Sequence, residues 1–378
     1  MNIGIITFHS AHNYGACLQA YALQTILDNN GYNVRIIDFK NDYIDRNFKP
    51  FVIRKGNIVR KIKSVAINVI CCKKNVKRYL SFKKFINNYY QLTEKVTGDN
   101  LNDKLGREFD VIITGSDQVW NPNLAGGLLD AYTLNWGIKG TGRISYAASV
   151  GNIQIVKENI DEYINKLKCI DNISVRETDL KNMLEMKLKR KIQVVLDPTL
   201  LLETKFWDSI AIAGPKEDYI FAYAIGNHRT HQKLVDYISN KINVSVVHVE
   251  RRNKYRRVLK NCYNDGPCEF LGLIRDSEVV ITTSFHATVF AILFHKQFWV
   301  VPPSDTGERI MELLKLVELT DRIITCERDF ELFKLNKPID YLSVDRKIEH
   351  SRLYSKKWLF DAVDNYNCDK KLPVYFKE

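Results

Sequence analysis

At 378 residues the chain exceeds one ordinary domain, so two are expected. An apolar content of 45% excludes the disordered class, and no apolar run approaches the ~18 residues of a membrane span. The net charge of +12 asks for an anionic partner, and the eight cysteines, with no signal-peptide pattern in MNIGIITF, read as thiols of a cytoplasmic protein rather than a disulfide framework.

Ile3 to Phe8 reads as a first strand, followed by the polar turn HSAHNYGA and a helix from about Ala16 to Asn29. Gly31 suits the left-handed stop after it. Val34 to Asp38 is a second strand, so the chain opens β-α-β, which predicts a parallel sheet with a right-handed crossover. At the turn, Asn13, Tyr14 and Gly15 stand at a helix N-terminus. Their amides suit an anion or a sugar, and Asn13 as a simple helix cap is the equal alternative.

From Arg46 to Thr93 there is no acidic residue, while Ile58, Ile62, Val65 and Val69 recur at helical spacing among lysines and arginines. This insert, about 46–93, predicts a basic amphipathic helix. An anionic membrane surface fits it; a solvated helical hairpin and nucleic acid are the alternatives, the last without a recognition motif.

Asp110 to Thr114 is another buried strand, ending in Gly115-Ser116-Asp117-Gln118. Asp117 at a strand tip is placed to accept a sugar hydroxyl or act as base, with Ser116 and Gln118 beside it; capping a following helix is the plainer role. Arg143 to Ser149 and Ile173 to Val175 are strands, and Ile160 to Ile170 and Thr178 to Leu188 are helices. Arg176, after the Ile173 strand, presents a planar fork to a carboxylate or phosphate, or pairs with Glu177 or Asp179. Val194 to Leu196 is a strand ending at Asp197-Pro198.

The composition shifts at Ala213-Gly214-Pro215, and a second strand-helix series begins. Strands are expected at Tyr219 to Ile225, Val244 to Val249, Val279 to Thr283 and Phe298 to Val301. Helices are expected at Gln232 to Ile242, Cys268 to Arg275, His286 to Phe294 and Glu308 to Leu316. Thr282-Thr283-Ser284 ends a strand immediately before His286, so this histidine is placed to touch an anion or move a proton. Gly307 and Arg309 form a further anion-facing loop. The pairs His9/His12 and His228/His231 lack a cysteine or acidic cluster, so no metal site is expected. No GxGxxG or GxxxxGK[ST] occurs, which leaves dinucleotide and P-loop binding unsupported.

Together these elements predict an α/β protein with two Rossmann-like domains facing across a cleft, at 1–212 and 213–340, with a helical tail at 341–378 packing back on the first. The segments NYGACLQAYALQ, ITGSDQVWNP, ISYAASVG, SVRE, VLDPTLLL and SFHATVFA, in this order, resemble the polysaccharide pyruvyl transferase family. The resemblance implies a GT-B-like arrangement and transfer of pyruvate from phosphoenolpyruvate to a sugar of a cell-surface or exopolysaccharide precursor, as a cyclic ketal. Phosphoenolpyruvate is a donor substrate, and no cofactor or metal is implied. The resemblance places a donor-binding arginine on Arg176 and a cleft histidine on His286. Asp117 engages the acceptor on the same reading. Many members carry Arg-Leu-His where this chain has Ser284-Phe285-His286, so one expected guanidinium is missing, and Arg309, Lys296 and Arg251 are the candidates to supply that charge. A lipid-linked acceptor at the inner face of the membrane would suit the basic insert. The competing readings are a GT-B-type glycosyltransferase using a nucleotide sugar, and a carbohydrate-binding protein without a donor site.

Overall fold

The computed structural model describes residues 1–50, 72–137, 139–226, 228–251, 253–303, 307–330 and 337–366. The apolar periodicity at 58–69 and the last residues of the tail lie outside them.

The first sheet holds β1 (Asn2–Ile6), β2 (Asn33–Phe39), β3 (Leu92–Val96), β4 (Val111–Thr114), β5 (Gly142–Ala148), β6 (Asn172–Val175) and β7 (Gln193–Val194) in the order 3-2-1-4-5-6-7. The second holds β8 (Tyr219–Tyr223), β9 (Ser245–His248), β10 (Val258–Asn261), β11 (Val279–Thr282) and β12 (Gln297–Val300) in the order 10-9-8-11-12. All pairings are parallel. Helices cover both faces of such sheets, so the central strands are continuous apolar runs: Val111, Ile112 and Ile113 are wholly buried, as are Val280 and Ile281. The strand order reverses between β1 and β4 and again between β8 and β11. At these points crossovers leave on opposite sides and a crevice opens at the carboxyl ends.

Several boundaries differ from expectation for local reasons. β1 ends at Ile6 because the chain turns at Thr7, whose carbonyl accepts from the His9 amide at 2.8 Å. The next helix, Tyr14–Asp28, starts earlier than expected because Asn13 caps it. β7 is short because the Leu196 amide donates to Ser355 Oγ, 3.0 Å away, instead of to the ladder. Gly31 has φ +82°, the left-handed turn that an L side chain adopts at a cost.

The helix Tyr341–Asp364 is capped by Asp340 and runs from the second half, where Asp345 meets His295 Nε2 at 3.0 Å, to the first. Arg352 Nε donates to the Leu200 carbonyl at 2.7 Å, and Tyr32 donates to Asp364 Oδ1 at 2.8 Å. The described part of the basic insert is the helix Cys72–Tyr89, which buries Phe82 and Phe85 and exposes Lys73, Lys74, Lys77, Lys83 and Lys84. Its Arg78 does not face solvent with them. The guanidinium lies 4.9 Å from the Tyr14 ring, 4.7 Å from Phe82 and 4.9 Å from Tyr263, and donates to Tyr14 Oη and to the Tyr263 carbonyl. One cation of the insert therefore ties the first helix to the second half of the chain. Among the described residues no helix is long and apolar enough to cross a membrane.

The HxxH histidines have structural partners. His9 meets Asp38 at 3.1 Å, His12 stacks on Phe82, His228 meets the Ile225 carbonyl, and His231 meets the Ile281 carbonyl at 2.9 Å. Burial lowers both His12 and His231 to about 4, with Arg78 adding to the effect at His12. An unfolded histidine binds its proton near pH 6.5, whereas these bind theirs only near pH 4 in the folded chain. The unfolded state thus holds more protons between those values, and stability falls as pH drops through that window. Urea melts at successive pH values should show a loss of about 1.4 kcal/mol per histidine per pH unit below the unfolded value. A flat profile over that interval would exclude neutral burial.

Candidate functional site

The carboxyl ends of both sheets meet around one buried carboxylate. Asp197 lies just beyond β7 and caps the short turn Pro198–Leu200. Its Oδ1 accepts from the Thr199 amide at 2.9 Å and from Thr199 Oγ1 at 2.5 Å. This fixes the carboxylate's rotation and aims Oδ2 inward. Oδ2 then meets Arg176 Nη2 at 2.7 Å, Ser116 Oγ at 3.1 Å and His286 Nε2 at 3.4 Å. Arg176 also donates to Ser116 Oγ. The three partners come from the tips of β6 and β4 and from the helix Phe285–Leu293 that follows β11. All are buried, Asp197 to 1% exposure and Arg176 to 6%. Burial alone would raise the Asp197 pKa, but the charge of Arg176, then His286, and the Thr199 bonds hold it well below the usual carboxylate range.

The second half contributes Phe285 and Arg309. The Phe285 ring has the Arg176 guanidinium 5.1 Å from its centroid and the Arg309 guanidinium at 5.7 Å. Arg309 begins the helix Glu308–Leu316, and its Nε is 4.0 Å from Glu177 Oε1. Glu177 also accepts from Ser149 Oγ. Burial pushes the Glu177 carboxyl up, against the opposing pull of Arg309. Burial, and then the like charge of Arg176, lowers Arg309. Arg176 Nε and Nη1, His286 Nε2 and Arg309 Nε are buried with no hydrogen-bond partner among the described residues. Buried N–H groups left this way cost free energy unless an acceptor arrives.

Arg176, Asp197, Phe285 and Arg309 line a cavity of about 380 Å³ together with Leu313, Leu316 and Tyr354. The volume lies in the range of small-molecule sites. His286 does not line this cavity; it meets the cluster through Asp197 and packs against Gly15. A Cβ built on Gly15 would fall 1.9 Å from His286 Nδ1 and 2.3 Å from Cγ. The glycine is what lets the imidazole seat on the first helix.

The other residues singled out in the sequence are placed as follows. Asn13 Oδ1 accepts from the Gly15 and Ala16 amides at 2.9 and 3.3 Å, so the helix N-terminus is occupied by its own cap. Tyr14 is 1% exposed, stacks on Phe270 at 4.2 Å and donates to the Asp265 carbonyl at 3.0 Å. Its side chain belongs to the junction of the two halves. Gln118 Oε1 accepts from Asn121 Nδ2 at 2.9 Å. Asp117 is half-buried at φ +80°, uncommon for a residue with a side chain. Its Oδ1 accepts from the Gln118 amide. It caps no helix: Asn121 caps the one that follows, Pro122–Ala125. Ser284 is an N-cap, its Oγ accepting from the Ala287 amide at 3.4 Å. Of the cations considered in place of an arginine at Ser284, Arg309 shares Phe285 with Arg176, whereas Lys296 stands past the far end of the helix that His286 begins.

Asp197 and Glu177 were missed as site residues. The available signal for Asp197 was its place directly after a strand and before Pro198, the same kind of tip that drew attention to Asp117. For Glu177 it was adjacency to Arg176, which read as a surface pair.

A search of the curated proteins found no match. Among solved structures, a putative UDP-N-acetylglucosamine 2-epimerase from Listeria monocytogenes is 12% identical with a TM-score of 0.56, covering 100% of this chain and 99% of its own. The UDP-GlcNAc 2-epimerase of Methanocaldococcus jannaschii is 14% identical, TM-score 0.45, covering 93% and 99%. A Streptomyces glycosyltransferase complexed with thymidine diphosphate is 11% identical, TM-score 0.48, covering 96% and 99%. At these identities the likeness shows the fold alone: two parallel α/β sheets in the GT-B arrangement. The family model for polysaccharide pyruvyl transferase matches residues 13–305, a span that contains Asp117, Arg176, Asp197 and His286. The chain therefore belongs to the polysaccharide pyruvyl transferase family, a family of enzymes.

Proposed function

We propose that the protein transfers the pyruvate unit of phosphoenolpyruvate to two hydroxyls of a sugar in a polysaccharide precursor, forming a cyclic ketal. The observation that carries this reading is the pair of buried guanidiniums, Arg176 and Arg309, which flank Phe285 at one cavity with N–H groups unpartnered among the described residues. A small, highly charged donor with a carboxylate and a phosphate is matched by two such forks. In this scheme Arg176 and Arg309 hold the donor. A proton goes to its methylene carbon, which becomes a methyl group, and positive charge develops at the central carbon. One sugar hydroxyl attacks there and releases its proton, the C–O bond between that carbon and the phosphate breaks, and the second hydroxyl closes the ring, its proton leaving with the phosphate. His286, which reaches this wall through Asp197, is the acid or phosphate-binding group on this reading, and Asp117 engages the acceptor hydroxyls. Ser116 and Ser284 line up the two arms, the first by its bond to Asp197 and the second by capping the His286 helix. The exposed lysines of Cys72–Tyr89 support contact with an anionic membrane carrying a lipid-linked acceptor, on the cytoplasmic side.

The experiment is phosphate release from phosphoenolpyruvate with and without candidate acceptor glycans, beside thermal melts with each ligand. Acceptor-dependent release is expected, and phosphoenolpyruvate should raise the melting temperature while a sugar nucleotide does not. Stabilisation by the sugar nucleotide alone would assign the chain to nucleotide-sugar glycosyl transfer instead.

A further inference from the structure

We infer that Asp197 is the positioning residue of this site: from the cavity wall it fixes the orientation of the Arg176 guanidinium, and through the same oxygen it seats the imidazole of His286. The inference rests on the pyruvyl-transfer reading above. One carboxylate oxygen meets Arg176, Ser116 and His286, from three elements of both halves, while the other is pinned by the Thr199 amide and hydroxyl. With both oxygens held, the carboxylate cannot rotate, and the arginine and histidine inherit its orientation.

A purely structural ion pair would satisfy its members on every side, because a buried pair with free edges contributes little to stability. Here Arg176 and Asp197 both line the cavity, and part of the guanidinium is left without an acceptor among the described residues. Arg176 gives Nη2 to Asp197 and leaves Nε and Nη1 without partners among the described residues. His286 Nε2 stands at 3.4 Å, within ionic reach but with no hydrogen bond. The carboxylate also keeps its charge under the pull of Arg176, so it receives hydrogen bonds and does not supply the proton. Its negative charge beside the arginine works against binding an anionic donor. Asp197 therefore trades donor affinity for geometry.

That trade gives opposite signs to two measurable quantities. The variant Asp197→Asn keeps the shape and the Thr199 contact but removes the charge. Its kcat should fall about 100-fold or more, since a misaligned group costs that much. Phosphoenolpyruvate should bind at least as tightly as to wild type. Inorganic phosphate and phosphoenolpyruvate should each raise its melting temperature more than they raise that of wild type, because an added anion replaces the missing one. A kcat close to wild type overturns the inference. So does a donor affinity that falls in step with kcat, or a variant that stays unfolded even with phosphate present, since both mean a merely structural role. Wild-type protein that releases no phosphate from phosphoenolpyruvate with any acceptor defeats the pyruvyl reading instead. The phosphate-dependent melts of Asp197→Asn still decide whether Asp197 governs an anion site.

Discussion

Arg176→Met will lower kcat/KM for phosphoenolpyruvate by about 100- to 1,000-fold, the scale seen when a preorganised donor to developing charge is removed. The substitution takes away a guanidinium that lines the cavity, together with its buried, unpartnered N–H groups. It also leaves Asp197 as an uncompensated buried charge, with Ser116 and His286 as its remaining partners at Oδ2. Removing one member of a buried pair costs about 3–5 kcal/mol, so the melting temperature should drop as well. Arg176→Lys separates the two effects. It keeps a positive charge near Asp197 and should recover most of the stability. Activity should stay low, because a point charge does not reproduce the fork that bonds the carboxylate and the donor at once. Steady-state phosphate release and thermal melts on the two variants supply the comparison. A lysine variant with near wild-type kcat/KM would mean that the guanidinium's geometry is irrelevant.

Gly15→Ala tests the histidine from the opposite side, without altering a polar group. The new methyl would fall inside the His286 ring, 1.9 Å from Nδ1 and 2.6 Å from Cε1. The imidazole cannot yield far, because it begins a helix whose residues Phe285 to Leu293 are all buried. Overpacking of this kind costs about 1–3 kcal/mol. A displacement of about 1 Å at a reacting group costs about 100-fold in rate, so kcat should fall by that order while phosphoenolpyruvate still binds through the arginines. Gly15→Ala with unchanged kcat would remove His286 from the chemistry, since its ring cannot keep its place beside the methyl.

Much of the architecture was legible because buried parallel strands write themselves as apolar runs. Val111–Thr114 and Val279–Thr282 are examples, and the helices Thr178–Leu188 and Glu308–Leu316 have the expected bounds. The edge strands β3 and β10 were not legible. Glu94, Lys95, Leu259 and Lys260 are exposed there, so neither segment shows an apolar run. Individual positions at the site were legible where strand tips precede helices, as at Arg176 and His286. Their meeting point was not, since Asp197 joins residues separated by 81 positions at Ser116. Periodicity carries no information about such contacts. Composition misled at Arg78, which looked like one more cation of a basic stretch. Aromatic rings and backbone carbonyls from both halves make it an internal strut.

The pair of arginines is tested most directly by a crystal structure with phosphoenolpyruvate soaked in. The donor's carboxylate or phosphate oxygens should lie about 3 Å from Arg176 Nε or Nη1 and from Arg309 Nε, with Phe285 beneath. Donor bound at another surface, with both guanidiniums left as they stand against Asp197 and Glu177, would contradict the assignment.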